Sequence, residues 1–237
     1  MSSDLYYEEY GYGFPLILLH GNGEDHTYFS HQFDYFKSKY RVIAIDTRGH
    51  GMSPRGTADL TIKRAAVDLY DFLIAHNIEK AHLLGFSDGG NIALEFALDH
   101  PRMAASLVLN GANLDPAGVK RSVQFPIEVG YKMASFFASK CENAKLNAEI
   151  LGLMVNEPHI SPEELKKLNI PTLVIAGTRD MIKRSHTELI ASCIPGAKLQ
   201  FIKGDHFIAN KVPDAFNRAV DDFLAGIDPR DADKMDL

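Results

Sequence analysis

Ser87, Asp180 and His206 are the residues of this chain whose types and order could perform covalent chemistry. A serine hydroxyl is a weak nucleophile at neutral pH and needs an adjacent base. A histidine can take and return that proton, and a buried carboxylate fixes the ring's tautomer and stabilises the imidazolium. Serine, then aspartate, then histidine is a chain order in which such triads occur. Ser87 stands in Gly85-Phe86-Ser87-Asp88-Gly89-Gly90, a G-x-S-x-G turn. The run Ala81 to Leu84 precedes it as a strand, and the helix-compatible run Asn91 to Ala97 follows. Strand, glycine-hinged turn and helix make a nucleophile elbow, where small residues two positions either side of the serine let strand and helix approach. The hydroxyl then faces the positive end of a helix, where developing negative charge is stabilised.

Other polar residues compete for these roles. Asp115 follows the strand preceding the Asp180 strand and could reach the same histidine. Asp180 is preferred because Thr178-Arg179-Asp180 directly follows a clean strand. Asp205, beside His206, reads as a residue that shapes the loop, and no other histidine follows the last strand. Asp46, Arg48 and His50 read as a structural turn. Glu24, Asp25, His26 and His31 have metal-binding side chains, but no catalytic ligand triad is evident and exposure on a helix is the expectation. A serine triad requires neither metal nor cofactor.

Positioning these residues calls for an open sheet, since α/β sheets carry their sites at the carboxyl ends of parallel strands. Short apolar runs fit that demand at Pro15 to Leu19, Arg41 to Ile45, Ala81 to Leu84, Ser106 to Leu109, Pro171 to Ile175 and Leu199 to Ile202. Leu5 to Tyr10 alternates weakly, as an edge strand or hairpin arm would. Between them, Tyr28 to Phe36 and Thr61 to His76 have helical spacing, and Val212-Pro213-Asp214 opens a last helix with Phe216, Val220, Phe223 and Leu224 on one face. The alternation predicts a mostly parallel twisted sheet flanked by helices. No strand is visible between Gly111 and about Ile160, where Pro126 to Phe137 and Ala144 to Val155 look helical. That stretch is too long for a connecting loop and is expected to be a small helical cap insertion. The core is therefore assigned to 1–111 and 161–227, the cap to 112–160 and a polar tail to 228–237. Phe125, Phe136, Phe137, Met133 and Met154 are expected to make the cap apolar or to pack it onto the body.

The chain has 237 residues and a formal charge of −6, with no Lys/Arg-rich patch standing out, which argues against a nucleic-acid partner. No apolar run is long enough to span a membrane, so no membrane partner is expected either. Cys141 and Cys193 are far apart and read as unpaired thiols, although one bridge between them remains open. No basic-then-apolar leader follows Met1, and a cytoplasmic location is the default expectation.

These motifs together resemble the α/β-hydrolase fold family over nearly the whole chain, roughly Leu5 to Leu224. The matching pieces are His20-Gly21-Asn22-Gly23, Asp46-Thr47-Arg48-Gly49-His50-Gly51, the Ser87 elbow, Gly177-Thr178-Arg179-Asp180 and Gly204-Asp205-His206. The resemblance implies Ser87 as nucleophile, His206 as base, Asp180 as orienting acid, and an oxyanion hole from the backbone N–H groups of Asn22 and Asp88. It implies a serine hydrolase acting on a small-molecule ester, thioester or related acyl substrate. C–C bond hydrolysis, perhydrolysis and a non-catalytic ligand receptor are the alternatives on this scaffold. The family's usual first strand is shortened here, so the full eight-stranded order is not assumed. The run Phe86 to Gly90 is also similar to that of biphenyl-hydrolase-like amino-acid-ester hydrolases. Asp88 accordingly has two readings: a carboxylate that caps or charges its helix, or one that faces the pocket and favours a cationic substrate.

Overall fold

The computed structural model describes residues 5–227; the polar tail expected from residue 228 lies outside them. Seven strands form one sheet: β1 Tyr7–Tyr10, β2 Pro15–Leu19, β3 Arg41–Ile45, β4 Ala81–Phe86, β5 Ala104–Asn110, β6 Thr172–Gly177 and β7 Lys198–Ile202. Their spatial order is β1-β3-β2-β4-β5-β6-β7. Only β1 runs antiparallel, pairing with β3 at one edge, and every other pairing is parallel. The helices are α1 Ser30–Phe36, α2 Ile62–Ala75, α3 Asp88–Asp99, α4 Arg121–Phe137, α5 Glu142–Asn156, α6 Pro162–Leu165, α7 Arg184–Cys193, α8 Ile208–Lys211 and α9 Pro213–Leu224.

Strand periodicity divides the core into two layers. On β2 and β3, Ile17, Leu19, Ile43 and Ile45 point to one face, in a cluster with Leu69, Phe72, Leu94 and Phe96 of α2 and α3. Leu16, Leu18, Val42 and Ala44 point to the other, against Phe29, Phe33 and Phe36 around α1 and Phe216, Val220 and Phe223 of α9. Successive side chains on a strand face opposite sides, so a parallel strand buried on both faces needs an unbroken apolar run. Burying a side chain such as Phe72 or Phe216 is worth roughly 1.5–3 kcal/mol.

The winding sets the position of the site. The chain goes from β2 outward to β3 and returns to place β4 on the opposite side of β2. The strand order therefore reverses between β2 and β4, and the crevice at their carboxyl ends is where such sheets bind ligands.

Three local expectations change. The predicted Tyr28-to-Phe36 helix is a 3-10 turn over His26–Phe29 followed by α1. The helix expected to begin at Pro126 begins at Arg121, with Pro126 inside it. Pairing of Val119 with Ile182 and the Lys120 N–H bond to the Met181 carbonyl anchor the helix start, which local sequence does not reveal. Finally, of the two readings of the large apolar residues, packing onto the body does not hold for Phe125, Met133, Phe136 and Phe137, which are exposed on α4, whereas Met154 on α5 is half-buried.

Candidate active site

Ser87 is the hinge between β4 and α3, with φ 53° and ψ −119°. Positive φ is costly for a residue with a Cβ and persists only where surrounding structure enforces it. Here the Ser87 N–H bonds the Asn110 carbonyl at 2.8 Å, and its own carbonyl accepts from Gly90 and Asn91. The flanking glycines are required by contact rather than by φ. A Cβ on Gly85 would lie 2.2 Å from the Gly89 carbonyl oxygen, and one on Gly89 would lie 2.0 Å from that of Leu19.

Asp180 occupies the turn after β6. Its Oδ1 accepts from the Ile182 N–H at 2.9 Å and from His206 Nδ1 at 2.7 Å, and its Oδ2 accepts from the Gly177 N–H at 3.3 Å. Lys120 donates its ammonium to the Asp180 backbone carbonyl. A proton on His206 Nδ1 satisfies the carboxylate and leaves the lone pair on Nε2, which is buried without a protein partner. The ring lies 4.7 Å from that of Phe86, which in turn stacks on Tyr28 at 4.4 Å. Gly111 closes the other side, since a Cβ there would meet His206 Cε1 at 2.6 Å. The turns after β6 and β7 are tied by Thr178 N–H to Ile202 and Arg179 N–H to Gly204.

The loop after β2 is fixed by His20. Its Nε2 accepts the Thr47 N–H at 2.9 Å, so Nδ1 carries the proton donated to the Gly21 carbonyl at 2.7 Å. Burial, with His50 adjacent, lowers the His20 pKa to about 4 and keeps the ring neutral. Asn22 Nδ2 then reaches Asp88 Oδ2 at 3.0 Å and the Ile150 carbonyl of α5 at 2.9 Å. Asp88 Oδ1 accepts from Asn91 Nδ2 at 3.3 Å. Both carboxylate oxygens thus face side-chain amides. Burial raises the Asp88 pKa to about 6 despite those amides. Asp88 also lines a small cavity with His20, His50, Leu60, Ile62 and Leu153.

Glu24 belongs to this neighbourhood too, although its sequence context suggested only metal chemistry. Its carboxylate accepts the Gly21 N–H at 3.3 Å, and burial raises its pKa to about 7 against an opposing pull from the Gly21 bond and His206. The only sequence signal is an acid directly after the His20-to-Gly23 turn. His26 is not exposed as expected: Asp46 accepts from both its backbone N–H and its ring, while His31 is exposed on α1. Among the described residues, no three His, Cys, Asp or Glu side chains form a cluster able to hold a metal. Asp115 is occupied elsewhere, capping a short turn through the Ala117 N–H. Asp205 binds the Phe207 N–H and Lys211, a loop-shaping role. Asp46 and Arg48 hold their turn through Met52 and Asp68.

Comparison with known proteins agrees with this architecture. Residues 15–150 match the family model described as alpha/beta hydrolase fold. A putative carbamate hydrolase RutD of Caulobacter sp. (strain K31) is 29% identical, over 89% of this chain and 90% of that protein. The serine hydrolase BPHL of Mus musculus is 28% identical, over 93% and 82%. Among solved structures, a thermophilic esterase from Thermogutta terrifontis superposes with a TM-score of 0.79 at 25% identity, covering 94% of this chain and 93% of the other. A meta-cleavage product hydrolase (CumD) from Pseudomonas fluorescens IP01 gives 0.76 at 26% identity, with 94% of each chain covered. The elbow at the β2/β4 reversal, the turns after β6 and β7 and the family match converge: this chain is a hydrolase belonging to the α/β-hydrolase fold family.

Proposed function

We propose that this protein is a serine hydrolase that cleaves a small ester, thioester or related acyl substrate through an acyl-enzyme. The observation that carries the reading is His206, held at Nδ1 by Asp180 with its Nε2 lone pair uncommitted. In that tautomer Nε2 can take the Ser87 proton as Oγ attacks the carbonyl carbon. The backbone N–H groups of Asn22 and Asp88 would hold the oxyanion, and the Asn22 side-chain bond to Asp88 supports that pairing. His206 then protonates the leaving group and activates the water that frees the acyl group, with no cofactor in the cycle. Residues 112–160 serve as the cap, supported by contacts of α5 with Asn22 and of Glu149 with Arg55. The free thiols of Cys141 and Cys193 support a reducing, cytoplasmic setting.

The test is turnover of a p-nitrophenyl ester series from acetyl to decanoyl by wild type and by Ser87→Ala. We expect wild-type turnover, lost by about 10⁴-fold or more in the variant, with unchanged circular dichroism. Ester turnover surviving in Ser87→Ala would remove Ser87 from the mechanism. The likeness to the meta-cleavage product hydrolase favours C–C hydrolysis as the second reading, recognised by cleavage of a dienone-type substrate without ester turnover. Single-turnover reaction with ligand would instead mark a receptor.

A further inference from the structure

Helix α4 has two apolar sides, and α5 covers one of them. On the inner side Gln124 donates to the Met154 carbonyl, Gly130 lies against Leu151 and Tyr131 against Gly152. On the outer side Phe125, Val129, Met133, Phe136 and Phe137 are 56%, 42%, 61%, 70% and 47% exposed. At about 100° per residue, these five positions fall within an arc of roughly 120° along a helix about 25 Å long. A contiguous apolar surface of this kind on a soluble protein marks an interaction site.

Charge identifies the occupant. Residues 120–140 carry four cations, Lys120, Arg121, Lys132 and Lys140, against the single acid Glu128, on a chain of net charge −6. Arg121 pairs with Glu128 and Lys120 holds the Asp180 carbonyl, which leaves Lys132 and Lys140 as the exposed cations beside the apolar face. Arg121 lies over the Phe125 ring at 5.4 Å, and Lys140 over that of Phe136 at 5.8 Å. A second copy laid on the same face would oppose like charges, whereas an anionic surface complements them. The apolar residues stand on the outer side of one helix rather than line a groove. Long basic side chains beside it can bury their stems while their heads stay in a polar layer. An amphipathic helix with large apolar residues and a basic border lies in the plane of a membrane interface.

We propose that α4 docks this protein onto an anionic lipid surface. The Phe125-to-Phe137 face enters the headgroup–acyl boundary, and Lys132 and Lys140 meet the lipid phosphates. A helix lying in the interface needs no spanning run, so the lack of one, which argued against a membrane partner, does not oppose this contact. The proposal is independent of the identity of the acyl substrate. It does place the docked face near the catalytic loop, because α4 starts one residue after Lys120, which holds the Asp180 carbonyl.

The experiment is co-sedimentation of the full chain with phosphatidylcholine vesicles, with and without phosphatidylglycerol, at low and high salt. We expect binding to the phosphatidylglycerol vesicles that weakens with salt. The triple variant Phe125→Ser, Met133→Ser, Phe136→Ser should reduce partitioning about tenfold or more. Lys132→Gln and Lys140→Gln should each reduce it roughly fivefold. Soluble-ester turnover should be unchanged in all of them. The two lysine variants, at exposed positions, carry the test if the triple variant fails to fold. Three results would overturn the proposal: no sedimentation with anionic vesicles, binding indifferent to the lysine variants, or a solution dimer that the triple variant converts to monomer.

Discussion

Glu24 and Asp88 are two carboxyl groups pushed upward by burial, to about 7 and about 6, at the edge of the candidate site. A carboxyl whose folded pKa exceeds its unfolded one binds protons more tightly in the native state. Its contribution to stability is complete below the unfolded value near 4.5 for Glu24, and is lost as pH rises through about 7. Glu24→Gln should therefore flatten the fall in melting temperature between pH 4.5 and 7; an unchanged profile would show that Glu24 is not held in that environment. Asp88 poses a question of specificity. Its ionised fraction grows as pH rises through about 6, so any preference for a cationic acyl group should grow over the same range. We expect wild type to favour an aminoacyl ester over its des-amino analogue in kcat/KM, and Asp88→Asn to reduce the ratio about tenfold, as loss of a charged partner does. Equal values in wild type would leave Asp88 only its bonds to Asn22 and Asn91.

At the scale of elements, the elbow depends on three backbones meeting without side chains between them. Gly89 in α3 abuts the Leu19 carbonyl of β2, and Gly85 in β4 abuts Gly89. Gly89→Ala should cost at least about 2 kcal/mol, because the contact is with backbone that cannot swing aside. Urea denaturation measures it, and a loss below 0.5 kcal/mol, the size of an ordinary surface substitution, would contradict this packing. The helical insertion shows the opposite limit of local reasoning. Its two helices were visible in the apolar spacing, but Pro126 suggested a start five residues late. The anchor at Lys120 depends on pairing with residues 181–183, some sixty positions away.

Across the whole molecule, the sheet brings together segments that are remote in sequence at one end of the strands. The reversal between β2 and β4 sets the His20 turn beside the elbow, and the parallel β6 and β7 carry Asp180 and His206 to the same end. The chain's net negative charge and the apolar outer face of α4, with Lys132 and Lys140 beside it, give the surface a polarity that composition averages away. Orientation on an anionic lipid surface belongs to this scale, since it follows from where the basic residues lie rather than from their total.

The sequence by itself determined the layered fold, the strand ends that bear the triad candidates and the glycine-hinged elbow. Each rests on short-range information: an apolar run for a strand buried on both faces, a 3.6-residue stripe for a helix, a small residue where backbones meet. Only the tertiary structure decided which side of α4 faces outward, what Asp88 touches and how deeply Glu24 is buried. The bonds from Asn22 to Asp88 and to Ile150 span 66 and 128 residues. Contacts of that range arise when the sheet closes and the insertion settles against it, so no local pattern of residue types encodes them.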